Sequence, residues 1–139
     1  MNRAKDYLRQ IPLLDSKIQS RLEELKNMRA SIFGTRAISY DSDPVKSSGV
    51  PDSMADAVAK YVDLERSIND SIDELIDLKH KIVGEIEQLN DPRHVRLLNL
   101  RYVQCKTFEQ IAVDTNYSFR QVLRLHGSAL QEFESVIMS

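Results

Sequence analysis

At 139 residues, with 42% hydrophobic and 29% charged side chains, the chain is long enough for one domain or a small domain with an arm. A formal net charge of −2 argues against a general nucleic-acid coat and leaves room only for a local basic surface. Four Gly, four Pro and no Trp argue against a many-turned β fold. Cys105 is the sole cysteine, which rules out an internal disulfide. No apolar run approaches the roughly 20 residues of a membrane span. The start, MNRAKDYLRQ, is too polar for a secretory signal, so a cytoplasmic location is expected.

Residues 2–32 are predicted to be helical. Ile11, Leu14, Ile18, Leu22, Leu25, Met28 and Ile32 recur at threes and fours, and Pro12 predicts that the first turns are separate or kinked. Residues 34–52 are rich in Gly, Pro, Ser and Asp and predict a long loop, with Asp52 or Ser53 capping the next helix. Over 53–89, Val58, Tyr61, Ile68, Ile72, Leu75, Ile82, Ile86 and Leu89 fit a seven-residue repeat, which Glu65 and Lys79 interrupt. The expectation is an all-α protein. A long antiparallel, coiled-coil-like helical hairpin (1–90) is followed by a three-helix domain (91–139). The apolar seams serve either the hairpin alone or the hairpin together with a second copy of the chain.

The division at Asn90 rests on "LNDPRH", where Asp91 can cap and Pro92 suits a first helical position. Three helices are predicted near 92–104, 107–114 and 118–136. Thr107 with Gln110, and Ser118 with Gln121, each have the spacing of a capping box. Asn116 lies in the turn between them, where a left-handed residue is needed. The apolar set Ile111, Ala112, Val122, Leu125, Ala129, Leu130 and Phe133 packs the two helices together. The pattern is that of a helix-turn-helix.

Charge supports the same division. Residues 1–90 hold 13 Lys/Arg against 16 Asp/Glu, a balance of −3, and residues 91–139 hold 6 against 5, a balance of +1. Any basic surface therefore depends on placement. Phe119, Arg120, Gln121, Leu123 and Arg124 do not all fit a core, and the first turns of such a second helix enter the DNA major groove. Arg can bind guanine, and Gln adenine, through two hydrogen bonds. Ser118, Lys106 and Thr107 stand at helix starts suited to phosphate.

The stretch LLNLRYVQCKTFEQIAVDTNYSFRQVLRLHGSAL resembles the promoter-reading region 4 of sigma-70-type factors. More narrowly, it is similar to the ArpU/RinA-like phage transcriptional regulators of Gram-positive bacteria. The residues that carry this are Leu100-Arg101-Tyr102, Phe108 to Ala112, Tyr117-Ser118 and Arg124-Leu125-His126, with Ala129-Leu130 after them. The resemblance covers about the last third of the chain. It implies double-stranded DNA binding and transcriptional control, commonly of late or packaging genes, with Ser118, Arg120, Gln121 and Arg124 at the DNA-facing positions. Thr115 and Asn116 stand where such proteins often show Leu-Gly. Nothing in residues 1–90 resembles the promoter-melting part of a full sigma factor, which favours an activator or accessory factor working with RNA polymerase, its helical arm forming a homodimer or contacting polymerase.

Two other functions share these features. A small terminase-like packaging protein also joins a helix-turn-helix to an oligomerising segment, although usually in the reverse order. A polymerase-binding module would use the motif for protein contact alone. Phe119 suits either a thymine methyl or a protein partner. Arg93, Arg96 and Arg101 are candidates for DNA backbone contacts, Arg101 equally for an ion pair with Glu109 or Asp114. His126 is expected to be packed or hydrogen-bonded rather than catalytic, and Cys105 to be a buried thiol. His80, His94, His126 and Cys105 lack metal-ligand spacing. No cofactor, metal or enzymatic activity is expected.

Overall fold

The computed structural model describes residues 2–34 and 52–139, and all regular structure among them is helical. In chain order the helices are α1 (Arg3–Leu8), α2 (Gln10–Arg29), α3 (Asp52–Ile86), α4 (Pro92–Leu98), α5 (Phe108–Thr115) and α6 (Phe119–Ile137). A π-helical turn at Ala30–Gly34 extends α2, and another at Asn99–Val103 extends α4. Most of the predicted loop at 34–52, namely 35–51, lies outside the described residues. No described helix is long and apolar enough to cross a membrane.

Local chemistry sets the helix ends. Asn2 caps α1 by accepting the Lys5 N–H at 3.1 Å. The helix is interrupted at Arg9, and Pro12 falls in the first turn of α2, where a missing N–H costs no intrahelical bond. The separate first turns expected from Pro12 are therefore present. Asp91 accepts the Arg93 N–H, and Pro92 opens α4. Cys105, at φ 57°, turns the chain out of the second π segment towards α5. It is exposed, not buried as expected, because it lies in that bend and not on a packed helical face.

The chain divides into two compact units, Met1–Asp15 with Glu74–Ser139, and Ser16–Asp73. The expected boundary at Asn90 is a break between helices. The units part within α3, between Asp73 and Glu74, and α1 packs on α6. In the first unit Ala4, Leu8, Ile11, Ile82, Ile86, Leu98, Ile111, Val122, Ala129 and Phe133 are completely buried. Each large apolar side chain removed from water in this way stabilises the fold by about 1.5–3 kcal/mol before entropy is subtracted. The rings of Tyr7 and Phe133 lie 5.8 Å apart, and the Tyr7 hydroxyl donates to Glu85. Burial, with the Glu85 carboxylate beside it, pushes the Tyr7 phenol up to about 12.

In the second unit Ile18, Ile32, Tyr61 and Ile68 form the buried apolar set. Arg21 donates to Ser67 Oγ at 2.9 Å, and Phe33 meets Tyr61 edge-on at 5.8 Å. Along α3 Tyr61, Ile68, Leu75 and Ile82, and after the turn that follows it Leu89, are all buried, each seven residues from the last, as the repeat predicts. Leu22, expected on the seam, is 37% exposed.

Candidate nucleic-acid interface

Two reciprocal caps build the α5–α6 segment. Thr107 Oγ1 accepts the Gln110 N–H at 3.1 Å, while Gln110 Oε1 accepts the Thr107 N–H at 2.9 Å. Ser118 Oγ accepts the Gln121 N–H at 3.1 Å, and Gln121 Oε1 accepts the Ser118 N–H at 3.0 Å. Between them Asn116 adopts φ 63°, ψ 22°, the left-handed geometry that ends α5. The Thr115 hydroxyl hydrogen-bonds the Ile111 carbonyl at 2.7 Å. It is thereby satisfied in a half-buried place. Thr107→Ala is expected to cost about 1 kcal/mol of unfolding free energy, read by urea titration, because an orphan helix donor loses its acceptor.

Ile111 from α5 and Val122, His126, Ala129, Leu130 and Phe133 from α6 face inward and are buried, while Ala112 and Leu125 are half-buried. The opposite side of the start of α6 presents Phe119, Arg120, Gln121, Leu123 and Arg124, all exposed. Phe119 is 46% and Leu123 42% exposed, an unusual apolar share for a polar face. Arg124 and Gln121 line a cavity of about 270 Å³ with Arg93, His94, Tyr117 and Ser128.

The arginines fall into two groups. Arg93 forms a double contact with Asp91, at 2.9 Å and 3.2 Å. This contact, with the Arg93 N–H, holds the Asp91 carboxyl down to about 2. Arg96 reaches the Asp114 carbonyl at 3.3 Å. Arg101 lies 4.0 Å over the Phe108 ring and donates to the Lys106 carbonyl at 3.0 Å, so neither expected ion pair, with Glu109 or with Asp114, forms. Phe108 is the first residue of α5, and its ring offers a guanidinium a face that the carboxylates do not. Among the described residues, Arg120 and Arg124 alone of the arginines in 91–139 make no ion pair or side-chain hydrogen bond.

The other expected contact residues are placed less freely. Lys106 pairs with Asp114 at 2.6 Å. Thr107 uses its hydroxyl as a cap. Gln121 has its amide oxygen engaged by Ser118, so two-point recognition of adenine would require the capping box to open. The box leaves the Phe119 and Arg120 N–H groups at the first turn of α6 without intrahelical acceptors.

Three pairings are not specified by the sequence, which marks His126 as packed or hydrogen-bonded without naming its partner. His94 Nδ1 and Glu132 Oε1 lie 2.6 Å apart, and Glu132 also accepts the Asn90 N–H at 2.7 Å, tying the start of α4 to α6. The hydrogen bond from His94 is the main reason the Glu132 carboxyl is lowered. Tyr102 and His126 share a buried hydrogen bond of 2.7 Å, with Phe108 edge-on to the imidazole at 4.9 Å. The third is the arginine stack on Phe108. Each joins residues too far apart, or too common in type, to leave a periodic signal. Among the described residues no group of His, Cys, Asp and Glu is arranged to hold a metal ion. No family model matches the chain, and neither a curated protein nor a solved structure matches it significantly.

Proposed function

We propose that the chain is a sequence-specific DNA-binding transcriptional regulator of phage type, an activator that works with RNA polymerase. On this reading α5 and α6 are a helix-turn-helix, and α6 enters the major groove. The observation that carries it is the pair Arg120 and Arg124. They are four residues apart, exposed and without internal partners, on a helix whose start is fixed by a capping box. An exposed arginine with no internal partner keeps its full donor set for a base edge or a phosphate. Arg93 and Arg96 are anchored internally and serve the scaffold, and Arg101 is held against the Phe108 ring.

Ser118 and the N–H groups of Phe119 and Arg120 then receive a phosphate, and Phe119 meets a thymine methyl or a protein partner. The helical arm is a hairpin that brings two copies together. Arg21–Ser67 and Phe33–Tyr61, which pair early residues with late ones in reverse order, support the hairpin within one chain. The exposed Phe119 and Leu123, at 46% and 42%, also favour a second reading in which this face docks on polymerase.

Selection of bound sequences from a random duplex pool tests the choice. A regulator enriches a defined site, and its affinity falls steeply with salt. Arg124→Ala weakens binding to that site by about 1–3 kcal/mol, or roughly 5- to 150-fold. Unchanged affinity of that variant would sink the major-groove assignment. No enrichment at low salt, together with capture of purified polymerase, would favour the second reading.

A further inference from the structure

Within the unit formed by Met1–Asp15 and Glu74–Ser139, a cavity of about 460 Å³ is lined by Lys5, Arg9, Pro12, Arg101, Tyr102 and Cys105. Three of these are cations drawn from separate parts of the sequence: α1, the break after it, and the π turn beyond α4. Among the described residues none of the three makes an ion pair. Arg101 is held in place from the side by the Phe108 ring and the Lys106 carbonyl, and it also hydrogen-bonds the Tyr102 hydroxyl. The fork is thus preorganised, with donors left over for a ligand. Charge converges here beyond the lining itself. The positive charges of Arg101 and Lys5 act on His126, and those of Arg101 and Arg9 on Tyr102. Asp15 opposes them at the Cys105 end and Lys79 adds to them.

Like charges brought together without partners repel one another, and a bound anion relieves that cost. Guanidinium forks match phosphate oxygens in geometry as well as in charge. The volume falls within the range of roughly 300–1,000 Å³ typical of sites for small organic ligands, larger than inorganic phosphate needs. Pro12 and the Tyr102 ring supply an apolar wall for the rest of such a molecule. We propose that this cavity binds a small organic molecule bearing two or more phosphate charges. It shares no residue with the exposed face of α6, and the inference stands whether or not that face binds DNA.

The single cysteine supplies the test, because its thiol lies in the cavity wall and is exposed. The rate at which the full chain reacts with the uncharged reagent 4,4′-dithiodipyridine reads occupancy directly. Millimolar ADP or fructose 1,6-bisphosphate is expected to slow the reaction at least about fivefold and saturably, relative to KCl of equal ionic strength. The double variant Lys5→Glu, Arg9→Glu, altered only at exposed positions, is expected to lose this protection while keeping its helical circular dichroism. No slowing by ADP, fructose 1,6-bisphosphate or pyrophosphate overturns the proposal. So does protection that persists in the charge-reversed variant, or protection given only by a short DNA duplex or a hexaglutamate peptide.

Discussion

Phe133→Ala is expected to lower the unfolding free energy by about 3–5 kcal/mol, a large part of what a domain of this size possesses. Phe133 is completely buried on α6, and its ring faces that of Tyr7 on α1 at 5.8 Å. Removing it deletes a ring's worth of contact and leaves a cavity that fixed helices cannot fill. The loss has a direction as well as a size. The neighbours of Tyr7 are the Phe133 ring and the Glu85 carboxylate, and Lys81 lies 5.9 Å from the Tyr7 ring. With the Phe133 ring gone, α1 retains Ala4 and Leu8 as buried anchors but loses its aromatic contact with α6. Urea titration measures the total, and amide hydrogen exchange should show α1 opening more readily than α5. Phe133→Leu, which restores most of the volume, should recover much of the loss. A Phe133→Ala protein less than about 1 kcal/mol weaker would mean that α1 and α6 do not pack as described.

That contact also shows what a sequence can and cannot disclose. The caps at Asn2, Asp91, Thr107 and Ser118 involve partners two or three residues away, and those at Asp91, Thr107 and Ser118 are legible from spacing alone. The same is true of the left-handed Asn116 and of the seven-residue run from Tyr61 to Leu89. Periodicity states which face of a helix is apolar, not which element covers it. Ala4 and Leu8 stand in the segment expected to form an arm, yet α1 packs on α6, more than a hundred residues later in the chain.

Polar pairing is hidden for a related reason. Arg101 has Glu109 and Asp114 within plausible reach in sequence, and charge alone suggests a pair. The structure places it over Phe108, because an aromatic face and a backbone carbonyl are nearer. For the candidate interface, spacing marks an exposed stretch from Phe119 to Arg124 around the buried Val122. It does not show that the amide oxygen of Gln121 is held by its own helix start, nor that Lys106 faces Asp114. Both follow from side-chain geometry within a turn or two, where several partners compete and a sequence does not rank them.

Acidification should weaken the fold through His126, in a window set by that one imidazole. The side chain is 9% exposed and is hydrogen-bonded to Tyr102. Burial, reinforced by the positive charges of Arg101 and Lys5, pushes its pKa from the usual 6.5 down to about 4. Between those values the unfolded chain binds a proton that the folded chain refuses. Stability therefore falls as pH falls, starting near 6.5 and levelling off near 4. The slope approaches about 1.4 kcal/mol per pH unit, and the total is on the order of 3 kcal/mol. Asp91 and Glu132 act in the same direction, since both carboxyls are depressed, but only below the ordinary carboxylate range. The effect of His126 is therefore read between pH 6.5 and the carboxylate range. His126→Gln, which is neutral and still able to hydrogen-bond Tyr102, should flatten the stability curve across that interval, although its smaller side chain lowers the whole curve. Urea midpoints measured at half-unit steps decide the matter. Parallel curves for the two proteins would show that the imidazole titrates normally and that the seal formed around it by Tyr102 and Phe108 is open to water.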